Sequence, residues 1–551
     1  MAYVPPQVNV TQVQQTFSPT LIEPDLVPAV VGPAYQVEYI DTTQSSPYPL
    51  YTGSLTSPTV MSVSSLSGFR SGMALDTNSV YADLVSPLGT RTLLTPGNGL
   101  TVTSSSVTIA ASGCSGYSLY IGYRALRSDM SNVYTYESAT EIENDFGDTS
   151  SFNPQGLGLM TALENANTSV VSYAISTDGY TGIVASGLSE SVVHANAMEA
   201  LSTFEVYTIA PMTTNTSILG SWKSHVDTLS VPTAKHERIL FSAPKIAWSD
   251  GGVNPYSSTV KAATATAIAN NASAISDSRA FSVFPDTAFV QETRHISTLS
   301  PTYIANMYTV GLGFSTSAAA YAYLAQNVTF PSSVSIPTQF SGQQVFAGDQ
   351  ITSALYVALV AYANLTGNVE FAVTVPVPSS VLATSAIVGQ IAGKAPQAPL
   401  TNVAVGGIDH MMFGSDIMNE TNLNTIASGG VYILKQAKIT SPIVCRHQLS
   451  TNMSSVQSRE LSVTTALDYS AKFYRNTVGV FIGKYVINAS SLRMVSIALK
   501  AASDVLKKQG TVNSATVASV IQDPNSSDTV DATVNLGLAY PLNYINLYLV
   551  F

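Results

Sequence analysis

The side chains in this 551-residue sequence that could carry chemistry are few, and their spacing fits no familiar reaction. There is no HExxH, no Cys-x-x-Cys and no Gly-x-Ser-x-Gly, so zinc hydrolysis, dithiol redox chemistry and a nucleophile elbow all lack their pattern. The nearest approach to a phosphate-cradling loop is Gly389-Gln390-Ile391-Ala392-Gly393-Lys394-Ala395. Its glycines stand one residue too close, and Ala395 occupies the place of the required hydroxyl. The six histidines (His194, His225, His236, His295, His410 and His447) are scattered, with no second ligand at metal spacing. They read as surface or loop residues. Glu141, Glu143, Asp145 and Asp148 form an acidic cluster without a base or a metal set beside it, and read as a solvated loop. Cys114 and Cys445 read as two free thiols. No catalytic, cofactor-binding or metal-ligating residue is expected, and no cofactor.

Charge is more informative than motif. Only 10% of the residues are charged, against a typical value of about 25%, and the net charge is −11. The first basic residue is Arg70, after Glu23, Asp25, Glu38 and Asp41, whereas Lys435 to Lys508 holds eleven Lys/Arg against three acids. Beyond it the chain turns acidic again at Asp523, Asp528 and Asp531. Such a block could neutralise phosphates, form a solvated helix face, or dock the acidic ends of a neighbouring copy. Interleaved aromatics and nucleic-acid motifs are missing, so docking is favoured, through Lys472, Arg475, Lys484, Arg493 and Lys500. Direct nucleic-acid binding is not expected.

These residues need elements to position them. The basic block falls on two helices, Glu460 to Ile482 and a second with its apolar stripe at Leu492, Val495, Leu499, Ala502 and Leu506. Ser490 or Ser491 is the expected N-cap of the second, with Lys507, Lys508 and Gly510 at its end. After an acidic linker the sequence ends on Tyr544-Ile545-Asn546-Leu547-Tyr548-Leu549-Val550-Phe551, a strand to be paired internally or offered to a neighbour. The start mirrors it: a Pro-punctuated segment in which Val8, Val10 and Val13 sit between polar residues.

Between these ends, Pro24 to Ala34 reads as a buried strand. Gln36 to Ala111 reads as a small all-β module. Residues from about 116 to 286 alternate helices with short apolar strands, which indicates an α/β layer. From about Ser300 to Pro378 the chain reads as β-type and polar, with one apolar stretch at Ile351 to Asn364. Val381 to Ala392 is a small-residue helix. The expected divisions are an arm over 1–30, a β-rich module over 31–112, an α/β domain over 113–290, a β-rich insertion over 291–380, a C-terminal core over 381–542 and a strand arm over 543–551. No basic-and-apolar leader opens the sequence, and no apolar run approaches a bilayer's thickness, so soluble production in a cytoplasm without stable membrane insertion is expected.

The order of these features resembles the tail sheath family of contractile phage tails. Pro28-Ala29-Val30-Val31-Gly32-Pro33-Ala34 is similar to its first core strand, and Asn153 to Asn165 followed by Val170 to Ile175 to its helix-before-strand element. Ala197 to Pro211 resembles its next helix and strand, and Val381 to Pro396 its Ala/Gly-rich helix. Arg459-Glu460-Leu461-Ser462-Val463, Asp468-Tyr469 and Phe481-Ile482-Gly483-Lys484 resemble the start, middle and end of its long C-terminal helix. About half the chain is covered. The family's Gly-Arg-Thr ahead of that helix is absent, Ile439-Thr440-Ser441-Pro442 standing there, and 300–378 has no counterpart.

The resemblance implies a multidomain α+β and α/β fold: an α/β sheath core, extended arms at both termini, and inserted β-rich outer domains. It implies a non-enzymatic virion protein, assembled in the host cytoplasm as sixfold rings stacked helically around an inner tail tube. Baseplate and tail terminator proteins would be its other partners, and contraction would drive the tube through the host envelope for genome ejection. Strand addition between copies would use Val8, Val10 and Val13 at one end and Tyr544, Ile545, Leu547, Leu549 and Phe551 at the other. The rival expectations are another virion protein built of β modules, for decoration or receptor binding, and, against the missing motifs, a hydrolase.

Overall fold

A computed structural model describes residues 21, 24–41, 59–66, 69–110, 117–127, 130–147, 149–166, 168–175, 188–247, 249, 257–301, 303, 325–326, 353–411, 418–438 and 441–543. The fold is built outward from strand β1 (Pro28–Pro33), whose six residues are all buried. An uninterrupted apolar run suits the middle of a parallel sheet, where both faces are covered. The chain then leaves for a module that is antiparallel except where β6 meets β7: β2 (Tyr35–Asp41), β3 (Thr59–Ser62), β4 (Met73–Leu75), β5 (Tyr81–Val85), β6 (Arg91–Pro96), β7 (Gly99–Val102), β8 (Ser106–Ile109) and β9 (Ser118–Arg127). Its strands alternate inward apolar residues, and Val80, Ala82, Leu84, Val107, Ile109, Leu119 and Ile121 fill its own core.

The remaining strands close around β1. These are β10 (Val133–Tyr136), β11 (Val170–Ile175), β12 (Thr208–Pro211), β13 (Ile239–Ser242), β14 (Ala280–Phe284), β18 (Val431–Gln436) and β19 (Ile443–His447). The sheet order is β10-β11-β1-β12-β13-β14-β18-β19, parallel except for the two edges. Sequence-distant segments therefore share one sheet: β1 pairs with β11 on one side and β12 on the other, and β14 receives β18 some 150 residues later, Ser282 facing Val431.

Helices cover both faces. Early in the layer come α1 (Ala139–Phe146), closed by a Ser138–Glu141 capping box, and α2 (Pro154–Asn165), capped by Asn153. They are followed by α3 (Glu190–Ser202), α4 (Thr216–Leu229) and α5 (Ser258–Ile275). Ala29 and Val31 of β1 pack with α3 and α4 around Trp222. On β1's other side, Gln155 of α2 donates to the Val30 carbonyl at 3.0 Å. A later helix, α7 (Ala383–Ala392), packs against α2 and is buried almost throughout. The two approach so closely that a Cβ on Gly389 would stand 2.1 Å from the Ala162 carbonyl oxygen. Gly389 and Gln390, read above as the near-miss phosphate loop, are thus core helix residues.

The insertion leaves the layer through two strands, β15 (Thr287–His295) and β17 (Glu370–Pro378), paired antiparallel along their whole length, with β16 (Ala325–Gln326) beside β17. Where the sequence suggested β structure around an apolar stretch, the chain forms helix α6 (Ser353–Thr366) instead. Leu355, Ala358, Leu359 and Ala363 recur at helical spacing and are all buried. The end of the stem away from β14, near His295↔Glu370, is ionic. Arg294 pairs with Glu292 at 2.6 Å and lies over the Phe152 ring, while His295 stacks on Tyr81 of the β module.

The C-terminal block supplies α8 (Glu420–Ser428), α9 (Val456–Arg459), α10 (Leu461–Gly479), α11 (Ala489–Lys508), β20 (Val512–Gln522) and β21 (Val530–Leu538). The chain forms two compact units. One comprises 26–464 and 543–551; the other comprises 1–25 and 465–542. The boundary falls inside α10, within the span expected as a single C-terminal core. In the smaller unit, Tyr474 and Ser503 join α10 to α11 by a hydroxyl contact of 2.8 Å, and α11 packs on β20. The N-cap of α11 is Asn488, not Ser490 or Ser491: its side chain accepts from both serine amides, and Ser491 returns the bond to the Asn488 amide. No described helix is long and apolar enough to cross a membrane.

Candidate assembly surfaces

The residues Val512 to Leu538, expected to be an acidic linker, form a β-hairpin. Its strands pair from Val512↔Leu538 to Gln522↔Val530, and no other described strand joins either outer edge. The turn is set by Asp523, whose carboxylate accepts from the Asn525 amide at 2.8 Å, with Pro524 between them. Near α11 the ribbon is anchored by Val512 and Ala515, both buried; farther out, Ile521 is 52% exposed. A two-stranded ribbon alone in water is marginally stable, and its unpaired backbone groups form a ready template for a further strand. Part of the signal was present in the sequence: Val530 to Leu538 sets Val534, Leu536 and Leu538 at alternate positions after a turn cluster, whereas Val512 to Gln522 is broken by two irregularities.

A second feature lies at the point where the chain returns to the larger unit. Glu460, between α9 and α10, has no solvent-exposed side-chain surface. Its Oε1 accepts from the Asn543 amide nitrogen at 2.9 Å, lies 3.0 Å from His447 Nε2, and accepts from Arg459 Nε at 3.3 Å. Burial pushes the Glu460 carboxyl up, but the His447 and Arg459 contacts outweigh it and hold the group below the usual carboxylate range. Beside this cluster lies a cavity of about 470 Å³ whose walls include Thr401, Asn424, Arg446, Arg459 and Asn543. Asn543 is the last described residue before Tyr544–Phe551.

No family model and no curated protein matches the chain. Solved structures do. The helical sheath of the anti-feeding prophage (AFP) in its contracted state matches at a TM-score of 0.47 and 8% identity, over 100% of this chain and 99% of that one. The PVC sheath of an extracellular contractile injection system, also contracted, matches at 0.45 and 10% identity, over 76% and 86%. A sheath tail protein from Desulfitobacterium hafniense matches at 0.38 and 9%, over 96% and 100%. All three of these are sheath proteins.

The arm residues expected for a sheath subunit, Val8, Val10, Val13, Tyr544, Ile545, Leu547, Leu549 and Phe551, lie outside the described residues, as do Cys114 and Asp148. Of the expected docking face, Lys484, Arg493 and Lys500 are exposed and Arg475 is half-buried. Lys472 differs from the other four: it is only 4% exposed, on the buried side of α10. Helical position decides this, since Lys472 stands beside Phe473 and three residues after Tyr469, both buried.

The histidines need a larger correction. His194 is fully buried on α3, where its Nδ1 accepts from the Trp222 indole at 3.2 Å. His295 is buried under Tyr81, and His225 lies 2.9 Å from the Arg238 guanidinium. His194 and His295 are core-packing residues, not surface ones, and His225 is half-buried. Among the described residues no group of three His, Cys, Asp or Glu could hold a metal ion. The acidic cluster is only partly solvated: Asp145 accepts from the Tyr136 hydroxyl at 2.8 Å, and its carbonyl accepts from Arg127. Cys445 is a buried free thiol.

Proposed function

We propose that this chain is a structural subunit of a contractile sheath, polymerising helically around an inner tube and contracting to drive that tube through an envelope. The observation that supports it most directly is the β20–β21 ribbon, two strands rooted on α11 whose outer edges no other described strand joins. Strands donated by the termini of neighbouring copies would complete it. Each backbone hydrogen bond so formed contributes about 0.5–1.5 kcal/mol net. An added strand therefore supplies a few kcal/mol, enough to hold copies together while weaker polar faces slide.

Rings of six, a baseplate and a terminator as partners, and genome ejection by a phage follow the sequence resemblance and belong to the same proposal. So do a non-catalytic role and virion location after cytoplasmic assembly. The test is electron microscopy of the purified protein and of a variant lacking residues 544–551. Tubes from the full chain and folded, unassembled monomers from the truncation are expected. Tubes from both would remove strand donation by the C-terminal segment; closed shells or trimers from the full chain would overturn the sheath reading itself.

A further inference from the structure

The cluster at Glu460 joins two points of the chain 83 residues apart. Glu460 lies four residues before the chain leaves the larger unit, and Asn543 is the residue at which it returns. One buried carboxylate oxygen therefore ties together the exit and the return. The tie is specific in its polarity. Glu460 Oε1 is acceptor only, Asn543 Nδ2 is a donor, and the Asn543 side chain also lies 3.3 Å from His447 Nε2. Gln448 holds the other oxygen at 3.5 Å and is itself fixed by Ser462 at 2.8 Å, so the carboxylate is held from both sides. Asn543 is only half-buried, and its backbone lies in no helix or strand. Its side chain reaches two groups of the larger unit, Glu460 and His447.

We propose that Glu460 is the positioning residue for the C-terminal arm: through Asn543 it fixes where Tyr544 starts and takes the pull on the arm when neighbouring copies move apart. The inference rests on the strand-donating role proposed above for residues 544–551. Hydrogen bonds to charged groups are stronger than neutral ones. A freely rotating root would also have to be ordered whenever the arm is captured by another copy.

The test exchanges donor and acceptor. Asn543→Asp places two carboxylates against each other and should raise the critical concentration for assembly by roughly tenfold or more. Its monomer should melt within a few degrees of the parent, because the substituted side chain is half-exposed and outside the core. The double variant Asn543→Asp with Glu460→Gln restores one donor and one acceptor with reversed polarity, and should recover assembly. Light scattering gives the critical concentration and circular dichroism the monomer's melting. Normal assembly of Asn543→Asp would overturn the proposal. So would failure of the double variant if Glu460→Gln alone assembles normally. If residues 544–551 prove necessary for tubes while Asn543→Asp assembles normally, the arm stands and only the role of Glu460 falls.

Discussion

Acid should loosen the α/β layer through His194. Burial lowers its pKa from 6.5 to about 4. The Glu190 carboxylate, 3.9 Å from Nε2, would favour the opposite, but that distance is too long for a hydrogen bond, and Glu190 already accepts from Thr213 at 2.7 Å. Burial prevails. There is a second, geometric reason. The Trp222 indole can only donate, so a proton on His194 Nδ1 would set two donors face to face across 3.2 Å. The folded state therefore keeps the imidazole neutral, while the unfolded chain takes up a proton as pH falls below 6.5. Stability is full above that value, falls as pH drops from 6.5 toward 4, and loses nothing further to this group below about 4.

The linkage gives about 2 kcal/mol lost between pH 7 and pH 5, and about 3 kcal/mol in all. His194→Asn tests it, because the Asn oxygen can accept from the indole but cannot take a proton. The variant should be less stable at pH 7 by about 1–2 kcal/mol for the volume removed. In urea unfolding followed by tryptophan fluorescence, the gap between variant and parent should shrink by about 2 kcal/mol on moving to pH 5. His225, also lowered to about 4 by burial and then by the Arg238 charge, remains in both proteins and cancels. A gap independent of pH would refute the reasoning.

Two glycines in helices should respond in opposite directions to alanine. Gly389→Ala forces α2 and α7 apart against the Ala162 carbonyl and should cost at least about 1–3 kcal/mol in thermal unfolding. Gly220→Ala, on an exposed face of α4 with nothing within 4 Å of the added methyl, should stabilise by about 0.5–1 kcal/mol. Cys445, pushed up to about 12 by burial, should resist a thiol-specific chromogenic reagent at pH 8 in a Cys114→Ser background, reacting roughly a thousandfold more slowly than after denaturation.

The layer was readable in the sequence because its signals are signals of burial. Pro28 to Pro33 is an unbroken apolar run, and the structure places it at the centre of the parallel part of the sheet. Helix α2 begins with Asn153-Pro154, and α4 carries Leu219, Trp222 and Val226 on its inner side. What failed there was one residue type. Histidine is common enough at surfaces that His194 read as exposed, yet it stands three residues before the buried Ala197 and seven before Leu201, on the same stripe of α3. Helix α6 failed for a related reason: Val357, Val360, Tyr356 and Tyr362 favour strands, and only the i, i+3, i+4, i+8 recurrence of Leu355, Ala358, Leu359 and Ala363 identifies the helix.

The ribbon β20–β21 failed for the opposite reason. Its second strand alternates, but its first spaces Val512, Val517, Val520 and Ile521 unevenly around two irregularities, and little of the ribbon is buried beyond its root. Sequence reading finds an element by the face it hides within its own chain. This ribbon hides little of either face within the described chain, so no buried period marks it and it reads as linker. The same logic explains the Glu460–Asn543 tie, a polar contact across 83 residues that no local period could announce. Both features are set by partners distant in sequence or lying outside the described residues, and a local pattern cannot announce either one.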